Sequence, residues 1–381
     1  MNNLRVLLGV PLAAFVVLPL ALAARAARRR LVPTWHGSDA ALAEIVLTLT
    51  IITLVSEVLG TMGLFRVRPL VLACIVVGVG TWAVLRTGPP NRDAEARPPP
   101  ADPPSSRWVP WVAGGGVLLV AGSWVSRTIG ALAHGITTID SSWYHLPVAV
   151  RFVQTGSTTS VQLMDSDSVT AYFPATSSLY HAIAYLLFRS DIFSTVLNLG
   201  WLALGLLAAW NIGSRFSVGP AAVLAAAIGF GTPYLVETQP GGALTDVVGI
   251  ALLLTAFAIA LRPGARPAAQ DFLVALAAGL ATGMKLTFLF PAAALCLGIV
   301  ITSPAAGRVR RVVAVAVGAM VSGGYWYVRN ALLVHNPVPS LGVGLGPVRL
   351  PAIKGTIRSS NVASLLFDGP AWSKYLLPGF R

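Results

Sequence analysis

The chain has few charged residues and very few cysteines. Only 11% of its 381 residues are charged and 55% are hydrophobic, whereas soluble domains carry about 25% charged residues. This scarcity excludes an ordinary soluble domain and a disordered chain. Two cysteines are too few for a disulfide-stabilised secreted protein, and both lie in apolar runs, where a free thiol packs as a small hydrophobic group. The composition therefore predicts an all-α, polytopic helical membrane protein.

Acidic residues are scarce as well. The 14 Asp and Glu stand against 27 Lys and Arg, which gives a net charge of +13. Nucleic-acid binding can produce such a balance, but in a membrane chain the commoner cause is cytoplasmic loops that face anionic lipid. We therefore expect membrane lipids, and no nucleic acid, as partners. The excess of Arg over Lys and the alanine-rich spans are typical of a high-GC bacterium.

Long apolar runs mark the predicted transmembrane helices. Nine runs are long enough, or nearly so, to cross a bilayer: residues 6–24, 43–65, 69–85, 108–126, 191–213, 219–235, 245–261, 286–302 and 312–328. The stretch 272–284 is too short to cross comfortably. Arg28, Arg29 and Arg30 follow the first run and indicate a membrane anchor instead of a cleaved signal peptide. We predict about nine to ten transmembrane helices.

The orientation depends on the short apolar segment 175–188. If it spans the membrane, Arg262 and Arg266 fall outside. If it lies in the membrane interface, most loop arginines fall on one side, as the positive-inside rule requires. We adopt the second interpretation, which gives a long first outer loop, 127–190, that carries interfacial helices. It describes a multi-pass protein of the bacterial plasma membrane with its active site facing outside.

A proline-rich stretch divides the chain. Residues 87–107 hold seven prolines and no aliphatic residue larger than alanine, so they cannot bury enough apolar surface to fold and are predicted to be a cytoplasmic linker. The linker separates a three-helix N-terminal membrane module, 1–86, from a membrane core, 108–328. Residues 329–381 are predicted to be an outer tail, which either ends a short protein or belongs to an incomplete sequence.

Three acidic residues are candidates for chemistry. Asp140 lies among aromatic residues at the outer boundary, a low-dielectric setting that suits a general base; the alternative is a solvated loop acid. Asp246 opens the 245–261 run, where the alternative is an acid that complements a helix dipole. Glu237 precedes Asp246 by nine residues. Because helices joined by a short loop are neighbours, we expect Glu237 and Asp246 to face the same outer pocket.

Two cations are candidates for phosphate binding. Lys285 is the only lysine before residue 354 and interrupts an apolar run. An ionisable group in such a run is costly and predicts a site, whereas the alternative is a side chain that reaches the headgroup layer. Arg329 follows Tyr325-Trp326-Tyr327 at the end of the last predicted span, and it is either an interfacial anchor or a second phosphate contact.

The remaining polar residues give weaker signals. His145 and His181 have no partner at metal-ligand spacing, so we expect hydrogen bonding or packing, with substrate contact as the alternative. Asp165 and Asp167 are expected in a solvated loop, although their alternation also suits a divalent cation. Glu57 is expected to pack within the N-terminal module. With no nucleotide loop or zinc signature in the sequence, we expect neither cofactor nor metal.

Five motifs occur in a characteristic order. They are Asp140 followed by Tyr144-His145-Leu146-Pro147; Tyr172-Phe173-Pro174; Ala243-Leu244-Thr245-Asp246; Gly279 to Lys285; and Tyr325 to Asn330 followed by His335-Asn336-Pro337-Val338. Together they resemble the GT-C superfamily of glycosyltransferases, which use polyprenyl-phosphate sugars. The resemblance covers residues 108–381 and is to the branch of the protein O-mannosyltransferases and lipid A aminoarabinose transferases, especially their actinobacterial relatives.

The resemblance implies a GT-C-like fold and the transfer of a sugar, with inversion, from a polyprenyl phosphate to an unknown glycan, lipid or protein acceptor. By the match, Asp140 is the base that deprotonates the acceptor, and Asp246 orients substrate or assists. Lys285, with Arg329, stabilises the charge on the leaving phosphate. Tyr144, His145 and Glu237 complete the predicted substrate-binding residues.

Two other classes of function stay open. A transporter or flippase for a lipid-linked or anionic substrate predicts polar groups at the middle of the membrane and two related halves. The charges instead concentrate at the outer boundary, and no repeat is visible in the sequence. A non-catalytic scaffold for cell-envelope assembly would need none of the candidate residues.

Overall fold

The computed structural model describes residues 2–86, 108–160, 168–262, 267–345, 348–353 and 368–376. Within these ranges helices dominate: α1 Asn2–Leu31, α2 Gly37–Thr61, α3 Val67–Arg86, α4 Val109–His134, α5 Leu146–Thr155, α6 Thr176–Phe188, α7 Ile192–Ser214, α8 Gly219–Phe230, α9 Pro233–Thr238, α10 Asp246–Ala260, α11 Pro267–Met284, α12 Leu289–Ile301, α13 Arg308–Gly323 and α14 Tyr325–Val334. Short helical turns cover Ser141–His145, Ser168–Tyr172, Leu286–Phe288 and Gly369–Leu376. A small antiparallel hairpin pairs β1 Val343–Leu345 with β2 Val348–Leu350, with Gly344 opposite Arg349.

The helices confirm the predicted all-α membrane class. By length and composition, five described helices can cross a membrane: α1, α2, α3, α4 and α7. The bent pair formed by α13 and α14 raises the number to six if it is one span. The hydrocarbon core that such helices cross is about 30 Å thick, which takes about 20 residues of helix.

The prediction of nine to ten spans is too high for the described residues. The apolar runs are present, but the helices within three of them are short: Gly219–Phe230, Asp246–Ala260 and Leu286–Ile301. The run 219–235 is broken by Gly231 and Thr232, after which Pro233 starts a new helix, α9. The run 312–328 is broken at Gly324, where α13 and α14 meet at 73°. Hydropathy measures composition, and it does not detect such breaks in a helix.

Two of the first three helices, α1 and α2, pack directly against the rest of the protein, and α3 packs against both of them. α2 contacts α6, α7, α10, α11 and α13, and α1 contacts α6. In the first turn of α2, Asp39 forms ion pairs with Arg215 and Arg262, which follow the ends of α7 and α10. The predicted N-terminal module is therefore joined in space to the predicted core. The predicted linker, 87–107, lies outside the described residues.

Helix α6 is covered by protein. It lies in the segment that we predicted to be interfacial, and all its residues except Tyr185 are buried. Its neighbours are α1, α2, α5, α7 and α11. At 13 residues the helix is too short to span, and surrounding helices shield its polar side chains from lipid.

The ion pairs of the described residues lie at the two ends of the bundle. One end, here called the arginine end, carries the Asp39 ion pairs and the pair between Arg311 Nη2 and Asp271 Oδ1 at 3.0 Å. Asp271 lies near the start of α11, and Lys285 directly follows its other end. Asp246 likewise starts α10, and Arg262 follows its other end. Asp246 and Lys285 therefore lie together at the opposite end, here called the site end.

A close crossing of α11 and α13 positions the site end. A Cβ on Gly323 would lie 2.2 Å from the carbonyl oxygen of Gly279, so only glycine fits there. Small residues let helix backbones approach in this way inside a membrane. Beyond the crossing, Trp326 Nε1 donates to Thr176 Oγ1 at 2.8 Å, and Tyr327 Oη donates to the carbonyl of Thr282 at 3.0 Å. These contacts fix α14 against α6 and the end of α11.

Candidate active site

An ion pair between α10 and the end of α11 forms the centre of the site end. Lys285 Nζ lies 2.6 Å from Asp246 Oδ1. The side chains of Lys285 and Asp246 keep 34% and 20% of their surface exposed, so the pair is open on one side. Lys285 has extended backbone between α11 and the turn that starts at Leu286. This break in the helix carries the ammonium to the first turn of α10.

A buried glutamine holds the second oxygen of the Asp246 carboxylate. Gln239 Nε2 donates to Asp246 Oδ2 at 3.1 Å, and Gln239 Oε1 accepts from the backbone N–H of Val247 at 3.2 Å. Gln239 has no exposed surface. The amide thus uses both of its ends to fix the loop against the start of α10, and the carboxylate has a set direction.

A single asparagine fixes the loop that carries Gln239. Asn198 of α7 donates from Nδ2 to the carbonyl oxygens of Gln239, Gly242 and Leu244, at 2.7, 3.3 and 3.2 Å. Asn198 is buried in α7, a predominantly apolar helix. Because unpaired backbone carbonyls are costly in a membrane protein, one amide that serves three of them stabilises an irregular loop there.

The turn that follows Asp140 docks on the same loop through Ser141. Ser141 Oγ accepts from the backbone N–H of Ala243 at 2.8 Å and from Thr138 Oγ1 at 2.6 Å. A Cβ on Gly242 would come within 3.1 Å of the Thr138 and Ser141 hydroxyls, which explains a small residue there. The loop of Asp140 and the loop of Asp246 therefore form one connected surface.

Asp140 and Glu237 themselves make few contacts. Both residues are exposed. Neither carboxylate forms a hydrogen bond or ion pair with another residue that the structure describes. The structure thus brings Asp246 and Lys285 into direct contact and places Asp140 next to Ser141 on the adjoining turn. Glu237 lies on α9 beside the loop without joining the Asp246 cluster.

A second group of predicted residues surrounds a small cavity. Tyr144, His145 and Arg329 line it, together with Ser178. The rings of Tyr144 and His145 have centroids 4.0 Å apart, and His145 Nδ1 lies 3.4 Å from Ser178 Oγ. The cavity volume of about 20 Å³ is enough for roughly one water molecule. In this conformation it admits no sugar.

His145 is neutral at physiological pH. Burial lowers the pKa of His145 to about 3, and electrostatic repulsion from His181 and Lys285 acts in the same direction. A neutral imidazole both donates and accepts a hydrogen bond. His145 can therefore contact a hydroxyl group without adding charge to the site.

Arg329 is a buried structural tie. It donates from Nη2 to the carbonyl of Ala171 and to Asn330 Oδ1, both at 3.0 Å. Its guanidinium lies 4.8 Å from the ring centre of Trp326. Asn330 in turn donates to the carbonyl of Tyr172 at 2.8 Å. Arg329 thus connects α14 to Ala171, and Asn330 connects it to Tyr172, the first residue of the Tyr172-Phe173-Pro174 segment.

The sequence analysis missed three residues that build the site: Ser141, Asn198 and Gln239. An uncharged side chain gives no electrostatic signal, and its importance depends on which carbonyls the fold brings near it. An asparagine in the middle of an apolar helix was the available signal for Asn198, because such a group needs partners. For Gln239, the only sequence signal was its position in a loop that contains proline and glycine.

The remaining candidates lie elsewhere. Asp165 and Asp167 fall outside the described residues. In the described ranges no group of three or more His, Cys, Asp or Glu side chains is arranged to hold a metal ion. Glu57 is buried near the end of α2, one turn from Thr53, whose hydroxyl lies 2.8 Å from Tyr180 Oη.

Comparison with known proteins identifies no relative: no family model, curated protein or solved structure matches the chain.

Proposed function

We propose that the protein is an inverting glycosyltransferase that moves a sugar from a polyprenyl phosphate to an acceptor at the outer face of the plasma membrane. The observation that carries the proposal is the Asp246–Lys285 pair, part-exposed at the site end and joined through Ser141 to the turn of Asp140. Lys285 supplies a cation for a phosphate, and Asp140 supplies an exposed carboxylate for a base, both at one end of an apolar bundle. A substrate with a lipid tail and an anionic head fits this arrangement.

In the proposed reaction, the acceptor hydroxyl attacks the anomeric carbon of the sugar while the bond from that carbon to the phosphate oxygen breaks. The proton of the hydroxyl passes to Asp140, whose exposed carboxylate is open to an acceptor. The electron pair of the broken bond leaves with the phosphate. Attack from the face opposite the phosphate inverts the anomeric centre.

Lys285 is the residue proposed to stabilise the leaving phosphate. An ammonium has three N–H donors, and Asp246 accepts one of them. The exposed part of Lys285 leaves the others available to a phosphate. Asp246, held by Gln239, keeps the ammonium in place before the charge develops, which is the kind of preorganisation that contributes most to catalysis.

The first experiment is native mass spectrometry of the protein purified in mild detergent and supplied with undecaprenyl phosphate. We expect the wild type to bind it and Lys285→Ala to bind at least about tenfold less. Arg68→Ala, which removes an exposed cation near the start of α3, is the matched control and should bind normally. If the wild type binds no polyprenyl phosphate, the proposal loses its donor and is wrong.

A second experiment tests the base. With a preparation that transfers sugar, Asp140→Asn should reduce turnover by at least about a hundredfold, the usual contribution of general base catalysis. Donor binding should stay at the wild-type level because the carboxylate acts on the acceptor. Unchanged turnover would remove Asp140 from the mechanism.

A flippase is the second candidate, and Glu57 is the observation that favours it. The residue is only 4% exposed within membrane-spanning α2. In the described part of the chain its carboxyl group makes no hydrogen bond or ion pair, and ionisable groups inside spans often mark an ion path. Flipping of a fluorescent polyprenyl phosphate in vesicles distinguishes the two. If the protein is a flippase, Glu57→Gln should lose the flipping activity. If it is a transferase, the variant should transfer sugar normally.

A further inference from the structure

An apolar groove runs along α7 between α8 and α10. Both helices pack against α7, and the groove between them has a volume of about 430 Å³. Its walls include Ala209 and Ile212 of α7, Ala226 and Gly229 of α8, and Ile250 of α10. All of its lining residues are apolar, so the groove has no side chain that would hold a polar ligand. A hydrocarbon therefore fits the groove better than a polar ligand.

The groove ends beside the candidate active site. Leu235 of α9 and Ile250 of α10 line it. The backbone N–H of Gln239 donates to the carbonyl of Leu235 at 3.0 Å, so these two residues are one helical turn apart. Ile250 likewise follows Asp246 by one turn of α10, a rise of about 6 Å on the same helix face. The groove thus leads toward Asp246, which pairs with Lys285, and toward Gln239, which holds Asp246.

The other end of the groove reaches toward the arginine end. Ile212 lies two residues before the end of α7, a helix that is long enough to cross the membrane. Helix α8 has 12 residues and is therefore about 18 Å long, shorter than the hydrocarbon core. The short helix leaves the side of α7 open to lipid over part of its length, and a chain can enter from the bilayer.

We propose that this groove binds the polyprenyl chain of the lipid phosphate whose head reaches Lys285. The inference deepens the proposed function and rests on it. Two features select the occupant: the cation at one end matches a phosphate, and the α8 wall of small Ala and Gly residues faces larger Ile and Leu side chains of α10. The small residues leave room for the methyl branches of an isoprenoid beside the larger side chains.

The test compares chain lengths in a variant that fills the groove. A Cβ built on Gly229 meets no atom within 4 Å, so the side chain of Gly229→Phe starts in open space on the wall of the groove. The probes are geranyl phosphate and undecaprenyl phosphate, measured by native mass spectrometry. In the wild type, the longer chain should bind more tightly. In Gly229→Phe, the undecaprenyl probe should lose about tenfold in affinity, while geranyl phosphate, held at Lys285, binds as in the wild type.

Gly122→Phe in α4 is the matched control. Gly122 is also exposed, and its Cβ also meets no atom within 4 Å, but it does not line the groove. This variant should bind both probes normally.

Unchanged undecaprenyl binding by Gly229→Phe would overturn the inference that the groove binds the polyprenyl chain, while leaving the transferase proposal intact. Equal displacement of undecaprenyl phosphate by phosphatidylglycerol would also overturn it, because the groove would then hold any lipid. If the wild type binds neither probe, the proposed function itself fails, and the inference fails with it.

Discussion

The pair formed by Asp246 and Lys285 shows what a residue's neighbours add to its sequence position. The two residues were predicted separately, one as an acid at a helix start and one as a lone cation in an apolar run. Their contact at 2.6 Å gives each a partner and reduces the cost of holding either charge near the membrane. A phosphate that binds Lys285 must therefore share its ammonium with Asp246.

His145 provides a prediction of pH dependence. Burial lowers its pKa to about 3 in the folded state, against about 6.5 in the unfolded chain. The unfolded chain therefore binds more protons between these values. The stability that neutral His145 contributes is complete above about pH 6.5 and is lost as the pH falls toward 3. Burial lowers the pKa of His181 to about 4, which gives a change of the same sign.

We expect His145→Gln to lose less apparent melting temperature than the wild type when the pH is lowered from 7.5 to 5.0. The difference should correspond to roughly 1–2 kcal/mol at the lower pH. Thermal unfolding in detergent at both pH values is the measurement. The wild type should keep the larger pH dependence even if the variant is less stable overall. Equal losses would show that His145 is not buried neutral in the fold.

At the scale of elements, the loop 239–245 depends on Asn198. Asn198→Ala removes three hydrogen bonds to the carbonyls of this loop, so we expect faster amide hydrogen exchange in residues 239–247. Asn211→Ala is the matched control, because Asn211 lies on the same helix but bonds Ser38 and Asp39 at the arginine end. Exchange mass spectrometry should show the increase only for Asn198→Ala. The same rate in both variants would mean that the loop is held by other contacts.

The crossing of α11 and α13 gives a second prediction at this scale. Gly323→Ala places a methyl group 2.2 Å from a backbone carbonyl that cannot rotate away, so the helices must separate. We expect a loss of about 1–3 kcal/mol in stability. Gly298→Ala in α12 adds the same methyl where no atom lies within 4 Å, and its effect should be neutral or slightly stabilising. Thermal unfolding of both variants tests this, and equal stabilities would contradict the close crossing.

The sequence predicted the helical elements better than their ends. Apolar runs correctly located α2, α3, α4 and α7, because a hydrophobic stretch of sufficient length has few alternatives in a membrane. The break at Gly324 and the stop at Phe230 depend on packing and small residues, which hydropathy does not register. For the site, charge pointed to Asp246 and Lys285. Asn198 and Gln239 were missed, since their role is to satisfy carbonyls that only the fold brings together.

At the scale of the whole molecule, the first three helices belong to the same bundle as the rest. Proline content indicated a division at 87–107, and composition alone gives no information on whether two flanking parts touch. The contacts of α2 with α7 and α11, and those of α1 with α6, cross this division. Asp39 adds two ion pairs across it, with Asn211 bonded to the same carboxylate.

We therefore expect the two parts to assemble without a covalent connection. Fragments 1–86 and 108–381, expressed together with a tag on one of them, should co-purify in mild detergent, because the apolar contacts between α2 and its neighbours do not depend on the linker. Asp39→Ala should reduce the recovered partner, since it leaves Arg215 and Arg262 without their shared carboxylate. Asp191→Ala, an acid in the turn before α7 with no ion pair among the described residues, should leave the recovery unchanged. Separation of the unmodified fragments would show that the linker, and not the packing of α2, keeps the N-terminal helices in place.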